Sequence, residues 1–151
     1  MKRHESLIPI SRQHHGGLLT ARLLQHGAPP YKGMPTTPEA KRDYVIDFLK
    51  THLKPHFILE ENTVFILALE ASEDLALQVR QLQEQHLLLE KLILALPSIP
   101  ASELPDKLHE TGKLLEQHIR QEERIFFEQL QQELSEIKLK ELQKLVLQHL
   151  S

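Results

Sequence analysis

Two stretches of this chain carry the same chemistry. His56-Phe57-Ile58-Leu59-Glu60-Glu61 returns 62 positions later as His118-Ile119-Arg120-Gln121-Glu122-Glu123, and each copy reaches a phenylalanine nine residues after its histidine, Phe65 and Phe127. The shared pattern is H-x-x-x-E-E-x-x-x-F. On an α-helix, positions i and i+4 share one face, one turn apart and ~6 Å along the axis. Each copy therefore aims an imidazole and a carboxylate at one small volume. Two such helices packed together would converge four metal-ligating groups.

The elements around these motifs read as helices. Ile10, His14, Gly17, Leu18, Ala21 and Leu24 follow a 3.6-residue period, after an extended arm closed by Pro9. His14 lies on that apolar face; His15 shares a more polar one. Gly16 and Gly17 permit a close approach. A Gly- and Pro-rich loop over 27–38 follows. A second helix starts at Thr36 or Thr37 with Pro38 in its first turn, and its inward stripe includes Val45, Leu49, His52, Leu53, His56, Glu60 and Val64. Pro55 predicts a kink in one bent element reaching about Ala71. Ser72 caps a third helix to about Leu96, with His86 on its apolar stripe and Glu90 one turn on. A fourth spans roughly 103–134, with Ser102 a candidate cap. Ser135 caps a short last helix over about 136–150. Strand-like alternation is absent. The expected fold is all-α, a single domain built as an up-down-up-down four-helix bundle over about 10–134 with a short fifth helix across it or over one end.

Composition narrows the chemistry. The chain has 151 residues, no cysteine and a net charge of -3. Disulfides, thiolate catalysis and Cys-ligated metals are excluded. No basic stripe suggests nucleic acid, and no apolar run approaches the ~20 residues of a membrane span. No secretory leader is evident at the start, so a cytoplasmic protein is expected. Ten histidines are unusual, and their spacing decides what they mean.

Each of the four long helices places a histidine inward: His14, His56, His86 and His118. Two add a glutamate one turn later, Glu60 and Glu122. Burying such groups unpaired would cost several kcal/mol each; a cation compensates them together. Imidazole and carboxylate without thiolate suit iron, manganese or zinc. Six ligands exceed what a four-coordinate zinc with an open position uses. They suit two octahedral ions sharing bridging carboxylates. His52, one turn before His56, could be a further ligand or an outer hydrogen-bond donor; His15 and Glu90 are weaker candidates of the same kind. Glu61 and Glu123 point about 100° away from their neighbours and read as outer-shell or surface groups. His4, His26, His109 and His149 fit no converging face.

The blocks Ser11-Arg12-Gln13-His14-His15, His52 through Glu60-Glu61 to Phe65, His86, and His118 through Glu122-Glu123-Arg124 resemble the hemerythrin-like, HHE cation-binding domain over about residues 7–134. The resemblance implies a non-haem di-iron centre inside a four-helix bundle. It implies that Glu60 and Glu122 bridge the irons together with an oxo or hydroxo group, and that His14, His56, His86 and His118 are terminal ligands. Oxygen-carrying hemerythrins have an H-x-x-x-H pair on the third helix, where this chain has His86 and Glu90. That departure favours the four-histidine, two-glutamate type of iron-handling and stress-related relatives, although His52 could restore a fifth histidine. Three functions follow as expectations. The leading one binds or senses oxygen, nitric oxide or peroxide, or handles iron. A second is an enzyme of iron-centre repair or of peroxide or nitric oxide reduction, although the sequence shows no separate catalytic set. A third is a structural bundle stabilised by zinc.

Overall fold

The computed structural model describes residues 2–151. Those residues are all-helical with bundle-like packing, and no strand occurs among them. Helix α1 covers Ile8–Leu24, α2 Pro38–Phe48, α3 Lys54–Asn62, α4 Val64–Ala71, α5 Glu73–Ala95, α6 Leu104–Gln121, α7 Phe127–Glu133 and α8 Glu136–Leu150. Among the described residues, no helix is long and apolar enough to cross a membrane.

The caps follow local chemistry. The side chains of Thr37, Ser72 and Ser135 accept from the backbone N–H groups of Ala40, Leu75 and Lys138, satisfying donors that a helix start leaves orphaned. Other boundaries differ from expectation. Pro9 does not close an arm but sits in the first turn of α1, where its missing N–H costs nothing and its fixed φ suits a helix. Helix α5 ends at Ala95, within a residue of the expected Leu96, and Leu96–Ser98 tightens into a 3₁₀ turn around Pro97. Ser102 caps nothing; α6 begins after Glu103 without a side-chain cap.

The second and fourth long elements are each interrupted. Leu49–Leu53 forms a π turn between α2 and α3, in which Lys54 N–H donates to the Leu49 carbonyl five residues back. The wide turn comes just before Pro55, which has no N–H to give and would crowd the carbonyl four positions back in a regular helix. The Thr51 hydroxyl donates to the Asp47 carbonyl at 2.9 Å. Thr63, at φ −129° and ψ −86°, then separates α3 from α4. The fourth element has a π turn at Glu122–Phe126, closed by Phe127 N–H donating to the Glu122 carbonyl. In both copies of the motif, helical regularity therefore breaks between the glutamate and the phenylalanine.

The core forms two apolar clusters. One holds Leu7, Ile10, Val64, Phe65, Leu75, Val79, Phe126, Phe127 and the α8 residues Leu139, Leu142 and Val146. The other holds Ala21, Leu24, Leu49, Leu53, Leu89, Ile93, Leu108 and Leu115. Along each long element, the inward histidine falls between residues of the two clusters: Ile10 and Ala21 flank His14, and Leu82 and Leu89 flank His86. Gly112 allows α1 and α6 to pack closely, since a Cβ there would lie 2.5 Å from the Ala21 carbonyl oxygen.

Candidate metal centre

The polar layer between the clusters is deeply buried. Glu60 and Glu122 are 0% exposed, and His14, His56, His86 and His118 are all within 6%. Two groups of ligand atoms form, each confined within 4.8 Å: His14, His56, Glu60 and Glu122, and then Glu60, His86, His118 and Glu122. Both glutamates belong to both groups. Within each motif the i,i+4 geometry is direct, with His56 Nε2 at 3.3 Å from Glu60 and His118 Nε2 at 3.1 Å from Glu122. His14 Nε2 lies 3.5 Å from Glu60 and 3.4 Å from Glu122, while His86 Nε2 lies 3.1 Å from Glu60.

The outer nitrogens determine which way the rings present themselves. Nδ1 of His14 donates to Glu123 at 2.6 Å and that of His86 to Glu61 at 2.7 Å. Nδ1 of His56 donates to Gln13 Oε1 at 2.7 Å and that of His118 to Gln85 Oε1 at 2.6 Å. Gln85 Nε2 in turn donates to Gln121, which fixes that amide's orientation. With Nδ1–H committed outward, each neutral ring turns the lone pair of Nε2 into the layer, the tautomer a metal requires. The four Nε2 atoms and both carboxylate oxygens of Glu60 and Glu122 are buried without hydrogen-bond partners. Buried polar atoms are almost always satisfied, so these orphaned acceptors concentrated at one point fit cations that hold them all.

The electrostatics agree. Burial alone would push the His14 and His86 rings down. Contacts of His14 with Glu122, Glu123 and Glu60 instead raise it well above its ordinary value, and contacts of His86 with Glu60 and Glu61 raise it to about 9. Burial would likewise raise Glu60, but the charge of His56 and contacts with Glu122 and His14 hold it well below the usual carboxylate range. Two buried carboxylates thus create a field that draws positive charge, whether protons or a metal ion.

The layer brings together His14, His56, Glu60, His86, His118 and Glu122 and leaves the other candidates outside. His15 is exposed. Glu90 pairs with Lys54 at 2.8 Å. His52 is exposed; its Nδ1 meets the Thr51 hydroxyl at 2.7 Å and its ring stacks on Phe48. The turn of π-helix that holds His52 carries it off the stripe of His56, which regular i+4 spacing had put it on. Gln13 and Gln85 escaped the sequence reading. Their available signal was position: each immediately precedes an inward histidine, as Glu61 and Glu123 immediately follow inward glutamates.

The two halves differ in their surroundings. Glu123 also accepts from the Ser11 hydroxyl at 2.8 Å and from Arg3 at 3.1 Å, and Arg3 lies over the Phe127 ring. Burial would raise Glu123, but hydrogen bonds from His14 and Ser11 lower it. A cavity of about 520 Å³ reaches His14, His56 and His118 and does not touch His86.

A family model described as the hemerythrin HHE cation binding domain matches residues 10–130. Comparison with curated proteins and with solved structures finds no match.

Proposed function

The chain belongs to the hemerythrin HHE cation-binding domain family, and from that premise we propose that it is a non-haem di-iron protein that binds or senses oxygen, nitric oxide or peroxide. One observation carries the reading. Eight buried and unpartnered ligand atoms, from His14, His56, His86, His118, Glu60 and Glu122, sort into two groups that share both carboxylates. Glu60 and Glu122 would bridge two ions, and each ion would take two imidazoles. The order of apolar residues on either side of each inward histidine supports an up-down-up-down arrangement of the four long elements. Two irons held there supply redox chemistry and coordination positions for small oxygen- or nitrogen-containing ligands. The protein's own part is to present neutral imidazoles, to fix them through Glu61, Glu123, Gln13 and Gln85, and to exclude bulk water with Phe57, Phe65 and Phe127, all at most 1% exposed.

The test is metal content with an optical spectrum before and after reduction and exposure to air. Two irons per chain with a ligand-to-metal charge-transfer absorption are expected; a single colourless zinc would sink the reading. His56→Ala and His118→Ala should lose iron, and His4→Ala and His149→Ala should keep it. Turnover of peroxide or nitric oxide above that of free iron would make the protein an enzyme as well as a binder.

A further inference from the structure

The cavity beside His14 and His56 has a composition unlike that of the rest of the molecule. The chain carries 21 acidic residues and is net negative, yet among the described residues no Asp or Glu lines this space. Its inner wall is buried, formed by Leu53, Phe57 and Ile119 together with the histidines of the layer. Its outer wall contains three exposed basic side chains, Arg12, His52 and His149. Arg12 has no ion-pair partner among the described residues, although ion pairs are frequent elsewhere on this surface. His52 is held in place by Thr51 and by stacking on Phe48 at 5.3 Å, which leaves its Nε2 uncommitted.

Size decides between ligand classes. Sites for small organic molecules run about 300–1,000 Å³, and at about 520 Å³ this cavity falls within that range. A diatomic molecule would leave most of it unfilled. An apolar interior with a rim of unpaired basic donors and no acid complements a molecule with a hydrocarbon body and one negative end, and the planar guanidinium of Arg12 matches a carboxylate through paired N–H donors.

We propose that this cavity binds a small amphipathic carboxylate, its acid group held at the rim by Arg12, His52 and His149 and its hydrocarbon part directed inward over Leu53, Phe57 and Ile119. The ligand's inner end then lies against His14 and His56, so its relation to iron rests on the di-iron reading; the acid-binding rim does not. The site thus accepts an organic anion as well as a small gaseous ligand, and an occupied cavity obstructs the approach to the layer from the side of His14, His56 and His118.

Calorimetric titration of the full chain with octanoate tests this, on iron-loaded and on chelator-stripped protein, with metal content measured on the same samples. Octanoate should bind saturably to the iron-loaded protein, and octan-1-ol or octylamine at least about tenfold more weakly. Arg12→Gln should weaken octanoate by about tenfold, the scale of one lost charge-assisted hydrogen bond, and adding His52→Gln should weaken it further. All of the substituted side chains are exposed, so thermal midpoints should match the parent. Absence of saturable binding, equal affinity for octylamine, or an unchanged affinity in the Arg12→Gln, His52→Gln variant overturns the proposal. Two irons without octanoate binding would overturn the cavity assignment and leave the centre standing. Octanoate binding to a chain that takes up no iron would do the reverse.

Discussion

Each inward imidazole owes its orientation to one outward hydrogen bond, and those bonds differ in kind. Glu61 and Glu123 are carboxylates that strengthen their rings as donors; Gln13 and Gln85 only hold theirs. Glu61→Ala should therefore lower metal affinity by about 10–100-fold, the usual effect of losing such a partner, and Gln85→Ala by less. Competition with a chromophoric chelator measures both, and equal affinity in the Glu61→Ala variant would show that the ring needs no support. The raised His86 gives a second test in chelator-stripped protein. Its folded value of about 9 exceeds the ordinary 6.5, so its stabilising protonation is complete below about 6.5 and is lost as pH rises through about 9. Metal uptake runs the other way, because bound protons compete with it. Denaturation midpoints of stripped protein should fall across that window while apparent metal affinity climbs. The ligands themselves were readable because polar groups on apolar stripes stand out. The glutamines were less so, because the ring each one holds lies on another helix and their only local mark is a place beside an inward histidine.

Helix starts were legible where one side chain settles them, as Thr37, Ser72 and Ser135 do. The π turns were not. A single extra residue in a helical turn leaves the hydrophobic pattern continuous, on both sides of Pro55 and through Glu122–Phe126. That extra residue can be tested. Ile125 is 56% exposed, so deleting it removes no core side chain. Because the wide turn absorbs one residue, the deletion should restore a regular helix and leave Phe126, Phe127 and Leu130 facing nearly as before relative to His118. Parent-like helical circular dichroism with a cooperative transition is expected; loss of cooperative unfolding would mean that the wide turn does more than absorb a residue. Glycine at 112 is a sharper case. Gly112→Ala drives a methyl into the Ala21 carbonyl and the Leu24 side chain, and should cost about 1–3 kcal/mol in denaturant titration. Gly16→Ala, whose nearest neighbour would be Phe48 at 3.9 Å, should be neutral or stabilise by about 0.5–1 kcal/mol through helix propensity.

Across the whole molecule, two apolar clusters meet at a layer of ionisable groups. A cation there joins the halves, so metal should raise stability by linkage, about 2.7 kcal/mol when free metal stands at a hundred times its dissociation constant. Stripped protein should show a lower thermal midpoint and a broader transition, with hydrogen exchange faster in α1 and α5 near His14 and His86 than in the loaded protein. Identical unfolding with and without metal would show that the layer contributes no connection. The helical class was visible from the long periodic stretches, whereas the division of the core was not, since its two parts are contiguous in sequence along every long element. The paired residues at this layer have one more consequence. Gln13-His14, Gln85-His86, Glu60-Glu61 and Glu122-Glu123 are adjacent in sequence but point about 100° apart, so each pair makes two separate engagements at once, and the glutamate pairs clamp both nitrogens of one ring, His86 or His14. A helix rotated or slid by one residue forfeits both engagements together. The centre is therefore an assembly checkpoint: only a correctly registered chain can be loaded, and loading then locks that register against its alternatives.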